Sequence, residues 1–301
     1  MAIASVRAQV NGTWYTLAYD SASGTYKGTI TAPGSTSYNR TGRYYDVTVE
    51  ATNTAGTKTT VNGSNLAGLK LVVKETVKPV ISLVSPSSGA YVINNQQPVI
   101  FDITDEVGGS GVKFNGISIK VDGKDVDTSQ TTAWLDITNG FRVTYTPPAA
   151  LSDGVHTVTL GAEDNDGNKA TEVTATFTVD TLPPTLNITA PANGFITNAT
   201  SLTVTGTTND STSSPVTVTI TLNGTNQGSI SVASNGSFTK AVTLAEGSNS
   251  IVVTAKDAAG KVTTVTRTVT LDTSSPVIKS ASISPNPVNT GATMIISVVI
   301  A

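Results

Sequence analysis

A 93-residue period limits what this chain can fold into more than any other feature. Leu151, Gly154, Val158, Leu160, Ala162, Asp164 and Gly167 recur without a gap as Leu244, Gly247, Ile251, Val253, Ala255, Asp257 and Gly260. Seven matched positions at one constant offset mark a duplicated structural unit. A shorter version (Val47, Val49, Ala51, Asn53, Gly56) lies near the amino terminus. Apolar residues two apart, such as Val158, Leu160 and Ala162, share one face of a strand, while the threonines between them face water. The strand then runs to Asp164 or Asp257. Gly167 or Gly260 supplies the positive φ of a tight hairpin, and a second Thr/Val strand follows. The unit therefore closes as the last hairpin of a two-sheet module.

The junctions repeat as well. Glu75-Thr76-Val77-Lys78-Pro79, Asp180-Thr181-Leu182-Pro183-Pro184 and Asp272-Thr273-Ser274-Ser275-Pro276 each follow such a hairpin. Each leads into a short strand ending at Ser85-Pro86, Ala190-Pro191 or Ser284-Pro285. Proline cannot donate to a sheet ladder, so it marks linkers and edges. Asp122-Gly123 and Asn223-Gly224 follow alternating strands and predict two-residue hairpins. The reading is an all-β chain of tandem sandwiches in an elongated array, held straight by short linkers. Modules are expected at 1–77, 78–181 and 182–273. The remainder, 274–301, repeats only a module's opening; two strands bury no core alone, so it pairs with a neighbour or belongs to a longer chain.

Composition narrows the function. Eighteen Lys and Arg against 21 Asp and Glu give a net charge of −3, so no basic stripe exists to release counterions from nucleic acid. No apolar run reaches the ~18–20 residues of a membrane helix. Cysteine is absent, and each sandwich must hold by packing without a disulfide. Residues 1–7 lack a basic segment followed by an apolar one, so the chain as given is not expected to be exported through a signal peptide.

No catalytic residues are expected. His156 is the only histidine, and the period places Asn249 opposite it, a replacement that would abolish histidine chemistry in the duplicate. Zinc held by His and Cys is excluded. Asp164, Asp166 and Asn168 place oxygen ligands at alternate positions, as a calcium loop would. Glu163, Asp180, Asp102, Asp105 and Glu106 would add carboxylates if the fold gathers them; the alternative is a polar hairpin turn. Six of eight tyrosines lie in the first 45 residues. Trp14, Tyr15, Tyr19, Tyr44 and Tyr45 form either a docking surface or the filling of a small core.

The ending L-x-x-G-x-[HN]-x-[VI]-x-[LV]-x-A-x-D-x-x-G and the linker D-T-x-x-P, over 78–273, resemble bacterial immunoglobulin-like (Big-type) repeats. The opening "VRAQVNGTWYTLAYDSASGTYKGTITAP" with "YYDVTVEATNTAGTKTTV" resembles Ig-like proteins encoded in Firmicutes phage and prophage tail regions. The resemblance implies tandem immunoglobulin-like sandwiches without catalytic residues. It also implies a virion protein made in the host cytoplasm and released by lysis, a homo-oligomer on a tail or baseplate. Its partners would be other virion proteins or a host-surface polymer. The alternatives are a stalk of a bacterial cell-surface adhesin and an accessory module of an enzyme.

Overall fold

The computed structural model describes residues 2–127 and 132–301. Apart from three short 3-10 turns, every regular element among the described residues is a β-strand. The chain divides into two compact units, Met1–Thr181 and Leu182–Ala301.

The first unit opens with a five-stranded sheet in the order Thr25–Lys27, Thr13–Asp20, Ile3–Val10, Thr48–Asn53, Lys58–Val61. Its register pairs Val6 with Leu17 and Ala51, and Ala8 with Tyr15 and Val49. Successive side chains alternate between faces, so these small apolar residues share one face and Val6, Ala8 and Val10 are buried there. The second layer holds only one short pair, Tyr45–Asp46 with Lys70–Leu71. Residues 28–44 are rich in Gly, Ser, Thr and Pro and offer no sustained alternation. The opening segment thus sets one five-stranded sheet with a minimal two-stranded one, and loops make up the rest.

The same unit contains a complete sandwich. One sheet runs Thr132–Ile137, Gly140–Tyr145, Val99–Thr104, Val80–Ser85. The other runs Lys124–Asp125, Ser118–Val121, Gly154–Gly161, Val173–Val179, Ala90–Val92, with the last strand parallel to its neighbour. Phe101, Ile103 and Val143 from the first sheet share a core with Ile119, Val158, Leu160, Phe177 and Val179 from the second. Each such burial stabilises by roughly 1.5–3 kcal/mol relative to exposure, and no disulfide supplements it.

The second unit repeats the plan. A three-stranded sheet (Thr185–Ala190, Ser201–Asn209, Ser237–Thr243) faces a five-stranded one (Phe195–Thr197, Val262–Leu271, Gly247–Lys256, Thr217–Leu222, Thr225–Asn226). Ile251, Val253 and Ala255 are buried as their counterparts Val158, Leu160 and Ala162 are. The Asp-Gly and Asn-Gly turns have φ of 50° and 76°, and 51° and 83°, the left-handed pair that a two-residue hairpin matching strand twist requires. A last hairpin, Ile278–Ser284 with Ile295–Ile300, is exposed along its whole length.

Candidate functional site

The chemistry-bearing residues gather at one rim of the first unit's sandwich. Three pieces of chain meet there: the loop 105–111 after strand Val99–Thr104, the hairpin turn 162–169, and residues 73–75, which follow the short strand Lys70–Leu71. Asp164 starts the turn. Its backbone N–H donates to the Asn168 carbonyl at 3.1 Å, and its Oδ1 accepts from the Asn168 N–H at 2.8 Å. Asp257 and Lys261 make the same pair of bonds at 3.1 and 2.8 Å. The aspartate at this repeat position is therefore first a turn-former.

At Asp164 the position also belongs to a cluster of acids. One carboxylate oxygen each from Glu75, Asp105 and Asp164 lie within 4.8 Å of one another. Asp164 is fully buried and Asp105 retains 7% exposure. Asp105 Oδ2 accepts the Gly111 N–H at 2.7 Å, whereas Asp105 Oδ1 and Glu75 Oε2 are buried and have no hydrogen-bond partner. Glu75 Oε1 accepts the Ser110 N–H. Burial pushes the Asp105 carboxyl above its ordinary range. The Gly111 N–H opposes this, and the negative charges of Glu75, Asp164 and Asp166 reinforce it. Among the described residues no lysine or arginine forms an ion pair with these three carboxylates. Beside Asp105 a cleft of about 390 Å³, lined by Asn39, Glu106, Asp136 and Phe141 among others, opens to solvent.

Of the calcium set expected from the sequence, only Asp164 faces this cluster. Asp166 Oδ2 accepts instead from the Glu75 N–H at 3.0 Å and from the Thr36 hydroxyl. The Asn168 amide donates to Asp164 Oδ2 at 2.7 Å and to the Glu75 carbonyl. Asp105 joins the cluster, but Asp102 is held by Arg142 through two bonds of 2.7 and 2.8 Å, and Glu163 by Lys113 at 2.8 Å. Glu75 was absent from the expected set. Its signal was available: an acid opens all three junctions, as Glu75, Asp180 and Asp272.

The rim also receives the opening module. Tyr38 Oη donates to Asn165 Oδ1 at 2.9 Å, Asn39 Nδ2 donates to the Gly109 carbonyl, and Lys74 Nζ donates to the Asp166 carbonyl at 3.0 Å. Loops expected to be inert polar turns thus hold the two parts of this unit together.

The aromatic set does not form one surface. Tyr45 is 1% exposed, and its hydroxyl bonds to Ser35; it fills the core of the opening module. Trp14 is 37% and Tyr19 59% exposed, but they sit five residues apart on one strand, and strand alternation sends them to opposite faces. Trp14 lies under the Arg7 guanidinium, 4.1 Å from the ring, and Arg7 is bonded to Glu50 at 2.9 Å. Tyr19 packs on Tyr26 with centroids 5.2 Å apart. Tyr15 is half-buried beneath the sheet, and Tyr44 stacks against Lys70.

His156 lies in an interior strand, on the inward face with Val158 and Leu160, and is 6% exposed. Its Nδ1 meets Asp122 Oδ2 and its Nε2 meets the Ser152 carbonyl, both at 2.8 Å. Asn249 does the same work in the second unit, accepting from Asn223 at 3.0 Å and donating to the Ala245 carbonyl at 2.7 Å. Both residues tie a hairpin turn to a neighbouring loop, and so histidine and asparagine interchange. Burial opposes protonation of His156, but the Ser152 carbonyl and the Asp122 carboxylate outweigh it and raise the imidazole above 6.5. A folded-state value above the unfolded one means this stabilisation is complete below pH 6.5 and is lost as pH rises through the folded value. His156→Asn should therefore flatten the decline in stability as pH rises above about 6.5. The difference between wild type and variant isolates the imidazole from every other titrating group. Urea melts across that range check it; an unchanged slope in the variant would contradict the assignment.

The two sandwiches match different family models. Residues 89–181 match the bacterial Ig-like domain. Residues 184–273 match the family described as glucodextranase, domain B. No curated protein sequence matches the chain. Among solved structures, the fibronectin(III)-like modules of Clostridium thermocellum CbhA are 18% identical, covering 64% of this chain and 94% of theirs, with a TM-score of 0.39. The titin I-band fragment I67–I69 is 14% identical, covering 89% of this chain and 87% of that one, at 0.45. The Bacteroides ovatus glucan-utilisation protein SGBP-B, solved with a mixed-linkage heptasaccharide, is 17% identical, covering 93% and 62%, at 0.24. The chain is all-β, with tandem immunoglobulin-like sandwiches. No helix among the described residues is long and apolar enough to cross a membrane.

Proposed function

We propose that this protein is a non-enzymatic structural and binding component whose Ig-like modules carry contact surfaces on rigid β-sandwiches. One observation carries the reading: the sole histidine and the carboxylate beside it are spent on tying a turn to a loop. The Asp122–His156 pair, the nearest approach to a catalytic dyad, is built into a hairpin, and the repeat replaces it with two asparagines. The bacterial Ig-like match over 89–181 supports the same class, although a fold by itself does not assign a function.

The finer reading is a peripheral component of a bacteriophage or phage-like tail or baseplate, in contact with other virion proteins or a host-surface polymer. It rests on the resemblance of the opening module to proteins of phage tail regions. Mass spectrometry of particles purified from a lysed culture should find the protein at a fixed copy number per particle. Its absence from particles overturns the virion assignment and leaves the cell-surface stalk. The match of residues 184–273 to a glucodextranase domain favours a second reading, an accessory module that engages polysaccharide. Co-sedimentation of the full chain with insoluble glucan distinguishes it, since a virion-only role predicts no retention.

A further inference from the structure

We propose that Glu75, Asp105 and Asp164 form a calcium site that locks residues 73–77 onto the rim of the first unit's sandwich. A cluster of acids alone would not carry this. The second observation is that Asp105, a member of the cluster and more than nine-tenths buried, keeps a buried oxygen with no hydrogen-bond partner, and so does Glu75. Buried polar atoms are nearly always bonded, and exceptions point to an ion or a water. Buried carboxylates without a cation incur a desolvation cost that their few hydrogen bonds offset only in part. A calcium ion takes only oxygen ligands at about 2.3–2.6 Å, so two of them on opposite sides lie about 4.6–5.2 Å apart. The three oxygens lie within 4.8 Å of one another, close enough to share one ion. The donor set contains no nitrogen or sulfur, which suits a hard cation. The neighbouring cleft gives it a path from solvent.

The consequence is mechanical. Glu75 belongs to the segment leaving the opening module, while Asp105 and Asp164 belong to two loops of the sandwich. With calcium bound, three pieces of chain share one centre. Without it, three carboxylates crowd together and push the segment away, and the Lys74–Glu75 peptide bond becomes accessible.

The test uses the full chain, stripped with chelator and then given about 1 mM calcium or sodium chloride of matched ionic strength. Both tryptophans, Trp14 and Trp134, lie in the first unit, so tryptophan fluorescence follows that unit alone. Calcium should raise its midpoint by about 5–10 °C and slow tryptic cleavage after Lys74 about tenfold or more. Asp105→Asn keeps an oxygen for the Gly111 N–H and removes the charge. It should lose both calcium effects while melting, in chelator, no lower than the stripped wild type. A purely structural aspartate would instead destabilise equally with and without calcium. Glu75→Gln carries the same comparison from a half-buried position if Asp105→Asn fails to fold. Equal responses to calcium and to matched salt in the wild type, or a full calcium response in the folded variant, overturn the proposal.

Discussion

Phe101→Ala lowers the stability of the Met1–Thr181 unit by about 3–5 kcal/mol and leaves the other unit's transition in place. Phe101 is fully buried, opposite Val143 on one side and Leu83 on the other. It is one of three buried aromatic side chains, with Tyr145 and Phe177, in a core otherwise made mainly of Val, Ile and Leu. Truncation removes the transfer free energy of the ring and leaves a cavity that two hydrogen-bonded sheets cannot collapse around. For a unit of this size the loss corresponds to roughly 6–20 °C in midpoint. Tryptophan fluorescence should register the shift, because both tryptophans report on this unit. The tryptophan-silent part of the far-ultraviolet circular dichroism transition should not move. A variant that shifts both signals equally would show one cooperative core where the structure has two.

Gly236→Ala produces the converse result, moving the tryptophan-silent transition by at least about 3 kcal/mol and leaving the fluorescence unchanged. Gly236 has φ of 80°, and a Cβ there would stand 2.0 Å from the Thr208 carbonyl oxygen. That oxygen is backbone and cannot swing aside. Thr208 is also fixed, since its N–H donates to the Gly236 carbonyl at 2.9 Å and its hydroxyl to the Thr185 carbonyl at 2.7 Å. Gly224 is the control. It has φ of 83°, but a Cβ would meet nothing within 4 Å, so Gly224→Ala costs only about 1 kcal/mol of left-handed strain. Chemical denaturation of both variants checks the contrast. Equal losses would mean that conformation, and not the close approach, sets the cost at Gly236.

The candidate site was partly legible before the fold was known. Asp164 was marked by its place in a turn, and Asp105 by its neighbours in sequence. Their joining with Glu75 was not, because the three lie 30 and 59 residues apart, and only sheet order brings their loops to one rim. Asp166 and Asn168 obeyed the alternate spacing of ligands, yet spacing does not say which way a turn residue points. Here the segment 73–75 captured both. His156 stood two residues before Val158, and that parity already placed it on the inward face. Its partners, Asp122 and the Ser152 carbonyl, come from a turn and a loop that local pattern does not connect.

The sequence alone determined the strands, their inward faces, the turn glycines and the repeat, because alternation and backbone preference act over a few residues. Which faces are covered was decided only in three dimensions. The same alternation in the opening module leads to one large sheet accompanied by a short strand pair and loops, which bury Tyr45 and leave Trp14 and Tyr19 outside on opposite sides. Burial is a property of what packs across from a residue, and for an isolated sheet that partner is chain of irregular conformation carrying no periodic signal.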